Sequence, residues 1–344
     1  MTMPLAACGG EDEAGADSFA VGLLLPSRAL PRWEHSDKPF IEQQLKKLCP
    51  RCTMQYANAE NDAAMQLQQM TSMITRGVGV LILDAADTRA MRSSIRAAQQ
   101  EGIPVVAYDR LAEGPISGYI SFDGAQVGKL QGEALLKAMG EKAEDEDIVM
   151  MNGDPTSPNA ASYRKGALSV LKGKAKIARS YDTLGWTTAN AHVNMSAALS
   201  ALGPDRIGGV LAANDAIAAG VISALKGAGV RELPPVTGQD AELAAVQRII
   251  RGEQYMTVYK PFRAEAAAAA AMAVALGRGE DARDVARTAT DSPTTQDIPS
   301  VLLNPTAVTA GNIKRTLVKN GVYTVDQICT RELRPACDEA GLTG

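Results

Sequence analysis

The chain has 344 residues, of which 46% are hydrophobic and 22% are charged, so it is long enough to form two hydrophobic cores. Its 35 basic and 39 acidic residues give a net charge of −4 without the basic stripe that phosphate backbones attract, which argues against a nucleic-acid partner. The longest apolar stretch, residues 264–276, is shorter than the roughly 20 residues that a membrane-spanning helix requires, and it predicts a packed helix.

The first 18 residues, MTMPLAACGGEDEAGADS, place Cys8 after the letters LAA and before a glycine-rich acidic segment. This pattern resembles a bacterial lipoprotein box, whose cysteine is acylated after signal cleavage. It predicts an extracytoplasmic protein that is lipid-anchored through Cys8, with residues 1–18 as anchor and flexible tether. A chance LAAC in an alanine-rich chain is the alternative, because the residues before Cys8 are few for the apolar region of a signal peptide.

The other four cysteines form two local pairs, Cys49 with Cys52 in CPRC and Cys329 with Cys337 near the end of the chain. Exported proteins use cysteines in this way, so the pairs predict two disulfides. A redox-active CxxC is one alternative, but it would lie at a helix start, where the helix dipole lowers the thiol pKa, and PFIEQQLKKLC places it after a helix. A four-cysteine zinc site is another, and it would require the two remote pairs to meet.

Strand-length apolar runs alternate with helix-length amphipathic stretches along the rest of the chain. The predicted strands are FAVGLLL, TMQYANA, VGVLILDA, PVVAYD, GYISFD, DIVMMNG, KIARSYD, GGVLAAN, PVTGQD and YMTVY. The helices between them include DAAMQLQQMTSMITRG, MRSSIRAAQQEG, QVGKLQGEALLKAMG, NAASYRKGALSVLKG and ELAAVQRIIRGE. This repetition predicts an α/β fold with parallel sheets that carry helices on both faces. Ten strands are many for one open sheet, so we expect two doubly wound, Rossmann-like lobes.

Five of the predicted strands end in polar or charged residues, in ILDAAD, AYDR, MMNGDP, AANDA and TGQDAE. Because ligands of open α/β sheets bind beyond the carboxyl ends of the strands, these exits predict a polar cleft between the lobes. For any single exit a helix N-cap is the alternative, since Asp and Asn are preferred at that position. Asp and Asn side chains and the planar fork of Arg suit vicinal hydroxyls, each of which both donates and accepts a hydrogen bond.

Two tryptophans, Trp33 and Trp186, each follow a predicted strand. An aromatic ring is the usual complement to the apolar C–H face of a sugar, so both are candidates for the cleft. A tryptophan that covers the edge of a core is the alternative for each of them.

Eight motifs follow one another between about Val21 and Val318: RWEHSDKPF, VVAYDR, YISFD with VGKLQGEAL, NGDPTSPNA, AANDA, GQDAE, MTVYKP and SVLLNPTAVTAGNIK. In order and spacing they resemble the periplasmic sugar-binding proteins of ABC transporters, in particular those for D-xylose. The resemblance implies a type I periplasmic binding protein fold with a ligand cleft between two lobes. It also implies a monomer without cofactor that captures a monosaccharide, D-xylose or a related aldose, by hinge closure and delivers it to a membrane permease.

The resemblance further implies three crossovers between the lobes, near residues 121–123, 259–261 and 297–301. The first lobe would comprise residues 19–122 and 261–296, and the second lobe residues 123–260 and 297–344. The alanine-rich helix would return the chain to the first lobe.

The sugar contacts that the resemblance implies come from both lobes. They are Arg32, Trp33, Asp109, Arg110, Asn159, Trp186, Asn214, Asp240 and Lys260. Arg110 would donate to sugar oxygens while Asp109 orients it or joins the contacts, and Lys260 would reach the sugar only when the lobes close.

One position departs from the family pattern SPxDNNA. This chain has Ser157 where that pattern has an Asp two positions before the site asparagine, and Asp154 lies three positions earlier. We expect either that Asp154 compensates for the missing acceptor or that the preferred sugar differs.

Other classes of function have less support in the residues. The two histidines, His35 and His192, leave few acid-base or metal ligands, and we expect His35 to be a solvated loop residue near the cleft. Neither GxxxxGK[ST] nor a GxGxxG after a strand occurs. A glycoside-processing enzyme with a carboxylate pair and a chemosensory sugar receptor stay as alternatives. A sugar-responsive repressor of the same fold is not expected, since strand one begins near Phe19 without a preceding helix-turn-helix.

Overall fold

The computed structural model describes residues 18–343, which form twelve strands and eleven α-helices in two α/β lobes. Seven strands form the sheet of the first lobe: β1 Ala20–Leu25, β2 Thr53–Asn58, β3 Val80–Leu83, β4 Val105–Tyr108, β5 Gly118–Phe122, β10 Thr288–Thr290 and β11 Ile298–Leu303. Their order is β10-β11-β5-β4-β3-β1-β2, and every pairing is parallel except that of β10 with β11. The second lobe has a parallel sheet in the order β7-β6-β8, formed by β6 Asp147–Asn152, β7 Lys176–Asp182 and β8 Ile207–Ala212.

The helices lie between and beside these strands. They are α1 Lys38–Leu48, α2 Ala63–Thr75, α3 Arg92–Gln100, α4 Gly124–Met139, α5 Pro158–Leu171, α6 Thr188–Leu202, α7 Asp215–Gly227, α8 Leu243–Ile250, α9 Phe262–Gly277, α10 Val325–Ile328 and α11 Arg334–Glu339. Five of them begin at a side chain that accepts from the first turn, namely Asp62, Asp123, Thr187, Asn214 and Thr324. No helix within residues 18–343 combines the length and the apolar composition needed to cross a membrane.

The central strands of the first sheet, β1, β3, β4 and β5, are buried on both faces, as their continuous apolar runs predict. Successive residues of a strand point to opposite faces, so Leu23 and Leu25 pack on the side of α1 and α9, while Leu24 packs on the side of α2 and α3. The fold class predicted from the sequence, two doubly wound α/β lobes, is therefore confirmed, and the alanine-rich helix α9 packs against α1 in the first lobe.

Three predictions about the strands need correction. The segment PVTGQD contributes only an isolated bridge, Val210 with Val236, at the edge of the second sheet. The segment YMTVY forms β9 Thr257–Tyr259, which pairs antiparallel with β12 Thr306–Val308 outside the parallel sheets. The third crossover, predicted at residues 297–301, falls within β11, which pairs with β5 of the first sheet, so the chain leaves that sheet only after Leu303. Residues 298–303 thus belong to the first sheet and not to the second lobe; the rest of the predicted division stays a prediction.

Both predicted disulfides are present, Cys49–Cys52 and Cys329–Cys337, with Cα atoms 5.3 Å and 5.9 Å apart. The first lies at the carboxyl end of α1 and not at a helix start. The predicted lipid-anchor residue Cys8 lies outside the described residues.

Helices α4 and α5 pack with their backbones in contact, and this contact fixes the position of the α5 N-terminus. A Cβ atom on Gly128 would lie 1.8 Å from the carbonyl oxygen of Tyr163, and one on Gly166 would lie 2.0 Å from that of Ala125. Only glycine permits this approach, because a side chain on either helix would force the pair apart.

We expect Gly128→Ala to lower the free energy of unfolding by about 2 kcal/mol, because the added methyl group overpacks the α4–α5 contact. Urea denaturation followed by circular dichroism measures the change. Gly227→Ala is the matched control, since a Cβ at that helical position meets no atom within 4 Å. Equal stability of the two variants would contradict the close-contact argument.

Candidate functional site

The centre of the site is Asp109, the first residue after strand β4. Its backbone adopts the left-handed region, with φ of 55°, and its amide donates to the carbonyl of Ile120 at 2.8 Å. This conformation turns the chain at the strand end and places the buried carboxylate in the cleft between the lobes. Oδ1 accepts from Arg32 Nη1 at 2.9 Å, and Oδ2 accepts from Asn159 Nδ2, on the second lobe, at 2.9 Å.

Burial alone would raise the pKa of Asp109, but the positive charges of Arg32, Lys260 and Arg110 outweigh it and lower the pKa to about 2. Asp109 is therefore a carboxylate at every physiological pH. It can accept hydrogen bonds but has no proton to give.

Arg32 ties three segments of the first lobe together. Its guanidinium donates from Nε and Nη2 to Asp37 at 3.1 and 2.9 Å, and Nη2 also donates to Glu265 of α9 at 3.0 Å. The group lies 3.9 Å above the Trp33 ring and 4.0 Å from the centre of Phe262. A planar fork held between two rings and three carboxylates has one orientation, so Arg32 orients Asp109 as well as lining the cleft.

Arg110 is oriented by Asp84 and not by its neighbour Asp109. Its Nε lies 3.4 Å from Asp84 Oδ1, and Nη1 donates to the carbonyl of Ala85 at 2.9 Å. Asp84 follows β3 in ILDAAD, one of the polar strand exits. Two neighbouring strand ends thus act together. The residues after β4 supply the guanidinium of Arg110, and the residue after β3, Asp84, supplies the carboxylate that orients it.

Lys260 lies between the lobes, at the end of β9, and is buried. Its Nζ is 3.0 Å from Asp240 Oδ1 and 3.6 Å from Asp109 Oδ1. Burial by itself would lower the pKa of Lys260, but the carboxylate of Asp240 and further charges nearby raise it above the ordinary value. The ammonium group therefore stays charged and links a carboxylate of each lobe.

Several of the side chains that the second lobe contributes to the site are neutral, unlike the charged groups of the first lobe. Asn214 caps α7, since its Oδ1 accepts from Ile217 N at 2.9 Å, and it also lines the cavity, so the capping and the cleft interpretations both hold. Ser157 precedes α5 without capping it, and its buried Oγ has no hydrogen-bond partner among residues 18–343. Trp186, with φ of 58°, leans its ring against Gly153, where a Cβ would lie 1.9 Å from the ring.

Asp154 does not take part in the cavity, contrary to the prediction. Its carboxylate accepts from the amide and the hydroxyl of Thr156 at 2.8 and 2.6 Å and from the amide of Gly185 at 2.5 Å. Asp154 therefore holds the turn that carries Trp186, and it does not replace the acceptor that Ser157 lacks. His35 is exposed, as expected, but it lies in the helical turn Trp33–Asp37 and not in a loop.

The described residues bring ten of the eleven predicted site residues together around one cavity between the lobes. Its lining comprises Leu30, Arg32, Trp33, Asp109, Arg110, Ser157, Asn159, Tyr163, Trp186, Asn214, Gln239, Asp240 and Lys260. The space open to the centre of a water molecule is about 20 Å³, which is the room of one or two waters. In this arrangement the cavity is therefore too small for a monosaccharide.

Three lining residues were missed from the sequence. Gln239 precedes Asp240 in the TGQDAE exit, and its buried Oε1 has no partner in the described part of the chain. Tyr163 lies one helical turn after Asn159 on α5, so the spacing alone points it to the same face. Nothing in the sequence pattern distinguishes Leu30.

Behind Asp240 lies a pair of carboxyl groups, the buried Asp215 and the half-buried Glu242. Burial, followed by repulsion from Asp240, raises the pKa of Asp215 to about 7; burial, followed by repulsion from Asp215 and Asp240, raises the pKa of Glu242 to about 8. Arg248 opposes both shifts only in part. A raised carboxyl pKa means that the folded protein holds these protons more tightly than the unfolded chain does.

We expect the sugar-free protein to lose stability as the pH rises from 5 to 8. The stabilisation from the protonated form of Glu242 is complete below its unfolded pKa, about 4.3, and is lost as the pH passes the folded value near 8. Melting temperatures measured by calorimetry across this range should fall less steeply in Glu242→Gln. The exposed Glu280→Gln is the control, and a slope unchanged in Glu242→Gln would refute the assignment.

Two α/β lobes with parallel sheets that lie together around a polar cavity define a two-lobed solute-binding protein. The chain belongs to the periplasmic binding protein domain family, which matches residues 21–281. It is 35% identical to the D-xylose-binding periplasmic protein of Escherichia coli (strain K12) over 321 residues, which cover 92% of this chain and 94% of that protein.

Two further relatives extend the comparison. The multiple sugar-binding periplasmic receptor ChvE of Rhizobium radiobacter is 34% identical, with 91% of this chain and 93% of the receptor covered. A crystal structure of an ABC transporter solute-binding protein from Clostridium phytofermentans, with bound β-D-glucose, superposes with a TM-score of 0.83 at 31% identity and covers 90% of this chain and 99% of that one.

Proposed function

We propose that the protein is an extracytoplasmic solute-binding protein that captures a neutral monosaccharide, D-xylose or a related aldose, and delivers it to an ABC transporter permease. The observation that carries the proposal is the cavity itself, in which carboxylate, amide, guanidinium and indole groups of both lobes surround one small space. Two relatives support it, the D-xylose-binding protein and the multiple sugar-binding receptor, because this chain matches each of them over more than nine tenths of its length.

The charges of the site favour a neutral ligand. Among the described residues, the cluster contains three cations, Arg32, Arg110 and Lys260, and five carboxyl groups, Asp37, Asp84, Asp109, Asp240 and Glu265. Burial raises the pKa of Asp37, Asp84 and Glu265, so negative charge is already disfavoured in this cluster. A sugar acid would add a further buried negative charge beside Asp109 and Asp240, at a desolvation cost that its hydrogen bonds do not repay.

Binding is proposed to proceed by hinge closure. Asn159 donates to Asp109 across the cleft, and the Thr88 hydroxyl donates to the carbonyl of Thr156 at 3.4 Å, so the two lobes make direct contacts when they are close. A sugar that binds both lobes lowers the free energy of the closed form further, and the permease then distinguishes the loaded protein by its joined surface. We also propose that the protein is a monomer, that it uses no cofactor and that it is lipid-anchored through Cys8.

A thermal-shift screen tests the function directly, because a ligand that binds only the folded protein raises its melting temperature by mass action. We expect one or more of D-xylose, D-glucose, L-arabinose and D-galactose to raise it, and D-glucuronate to leave it unchanged. Titration calorimetry of the positive sugars then gives the affinity. Absence of any shift with the four neutral sugars would refute the proposal, and binding of glucuronate would refute the charge argument.

We expect Gly153→Ala to weaken sugar binding about fivefold, because the new methyl group displaces the Trp186 ring from the cavity wall and an aromatic contact of this kind is worth about 1 kcal/mol. Calorimetric titration measures the affinity. Gly227→Ala, on the far end of α7, should bind as the unaltered protein does. An unchanged affinity in Gly153→Ala would remove Trp186 from the sugar contacts.

The enzyme alternative makes an opposite prediction. Glycoside hydrolysis needs one protonated carboxyl as general acid, and Asp109, with its pKa near 2, is not one. We expect p-nitrophenyl glycosides of xylose and glucose to be recovered intact after incubation with the protein. Release of nitrophenol above the rate of a protein-free sample would favour the glycosidase.

A chemosensory role is compatible with transport, since a receptor and a permease would both recognise the closed form.

A further inference from the structure

The loop that carries Asp240 has an unusual backbone. Asp240 has φ of 96° and Ala241 has φ of 51°, so two consecutive residues with side chains occupy the left-handed region. Neither is a glycine, and such a conformation persists only where the surroundings hold it in place. The side chain that it presents, Asp240, is the partner of Lys260 at 3.0 Å and lines the proposed sugar cavity.

Two of the contacts that hold this loop come from β9. The amide of Asp240 donates to the carbonyl of Val258 at 2.8 Å, and the amide of Ala241 donates to Thr257 Oγ1 at 3.1 Å. A third comes from Asp215, whose Oδ2 accepts from the amide of Glu242 at 2.9 Å. The third bond holds the N–H of the peptide unit to which the Ala241 carbonyl belongs, and none of the three engages the carbonyl oxygen itself.

That carbonyl is bound by the C-terminal segment, residues 313–342. The hydroxyl of Tyr323 donates to the Ala241 carbonyl at 3.0 Å. The segment is anchored beside the loop by an apolar cluster that includes Ala241 and Val246 from the loop and α8, and Leu317 from the segment. The Cys329–Cys337 disulfide lies in the same cluster.

Tyr323 does not line the sugar cavity. It lines a separate cleft of about 570 Å³ on the other side of the Asp240 loop, together with Phe40, Tyr259 and Phe262, and Asp240 borders both spaces. The hydroxyl of Tyr323 therefore acts on the backbone of the loop from behind, while the Asp240 carboxylate faces the ligand.

We infer that Tyr323 is a positioning residue for sugar binding, because its hydrogen bond holds the Ala241 peptide in the left-handed conformation that aims Asp240 at Lys260 and the ligand. This inference rests on the proposed function. Without the hydroxyl, the Ala241 carbonyl loses its donor, and its peptide unit is held only from the N–H side, by Asp215. Asp240 then turns away from Lys260, and the sugar loses one carboxylate acceptor.

The test is Tyr323→Phe, which removes the hydroxyl and keeps the ring. We expect the affinity for the best sugar of the thermal-shift screen to fall about five- to tenfold, the factor that the loss of one buried hydrogen bond corresponds to. Tyr255→Phe is the matched control in the same lobe, because its hydroxyl makes no hydrogen bond among the described residues. Equal affinities of Tyr323→Phe and Tyr255→Phe would overturn the inference.

A double-mutant cycle separates positioning from general destabilisation. If Tyr323 acts through Asp240, the fivefold or greater loss should disappear in an Asp240→Asn background, since the carboxylate to be aimed is gone. The same loss in both backgrounds would show that Tyr323 acts on the lobe as a whole and would overturn the inference.

Hydrogen exchange of the sugar-free protein gives a readout that does not depend on the proposed function. We expect the amides of residues 240–243 to exchange faster in Tyr323→Phe than in Tyr255→Phe, while those of β6 are unchanged. Faster exchange together with no sugar binding by the unaltered protein would refute the proposed function and leave the positioning role supported. Unchanged exchange at residues 240–243 would refute the positioning role whatever the protein binds.

Discussion

The site depends on one buried carboxylate, Asp109, which is held by groups from distant parts of the chain. It is contacted by Arg32 from the first lobe, by Asn159 from the second lobe and by Lys260, which follows β9. A carboxylate in this position is stable only while those partners are present, because breaking a buried ion pair costs about 3 to 5 kcal/mol. The same contacts therefore stabilise the closed lobes and present an oriented acceptor to the ligand.

The other charges of the site follow from this requirement. Arg32 must itself be oriented, so Asp37, Glu265 and two aromatic rings surround it. Arg110 is held in the same way by Asp84 from the adjacent strand. Both arginines that face the cavity are thus backed by carboxyl groups that do not face it, and rigid donors lose little entropy when a sugar binds.

The polar strand exits were the most reliable signal in the sequence, since parallel strands deliver their carboxyl ends to one edge and hence to one cleft. Asp109 and Asn214 reach the cavity for this reason. Asp154 follows a strand exit as well, but its short side chain is captured by the backbone amide of Gly185 and by Thr156, a local competition that composition does not reveal. The third crossover was placed too early because the run that forms β11 gives no sign of which sheet it joins.

The alternation of strands and helices, the polar exits and the local cysteine pairs were determined by the sequence alone, because periodicity and short separations decide them. Only the tertiary structure decided which carboxylate orients which cation, and that Tyr323 supports the Asp240 loop. It also decided that the Ser157 hydroxyl neither caps α5 nor has a hydrogen-bond partner among the described residues. Those contacts join residues many positions apart, such as Tyr323 and Ala241. Their distances depend on how the lobes and the C-terminal segment pack, which no local pattern encodes.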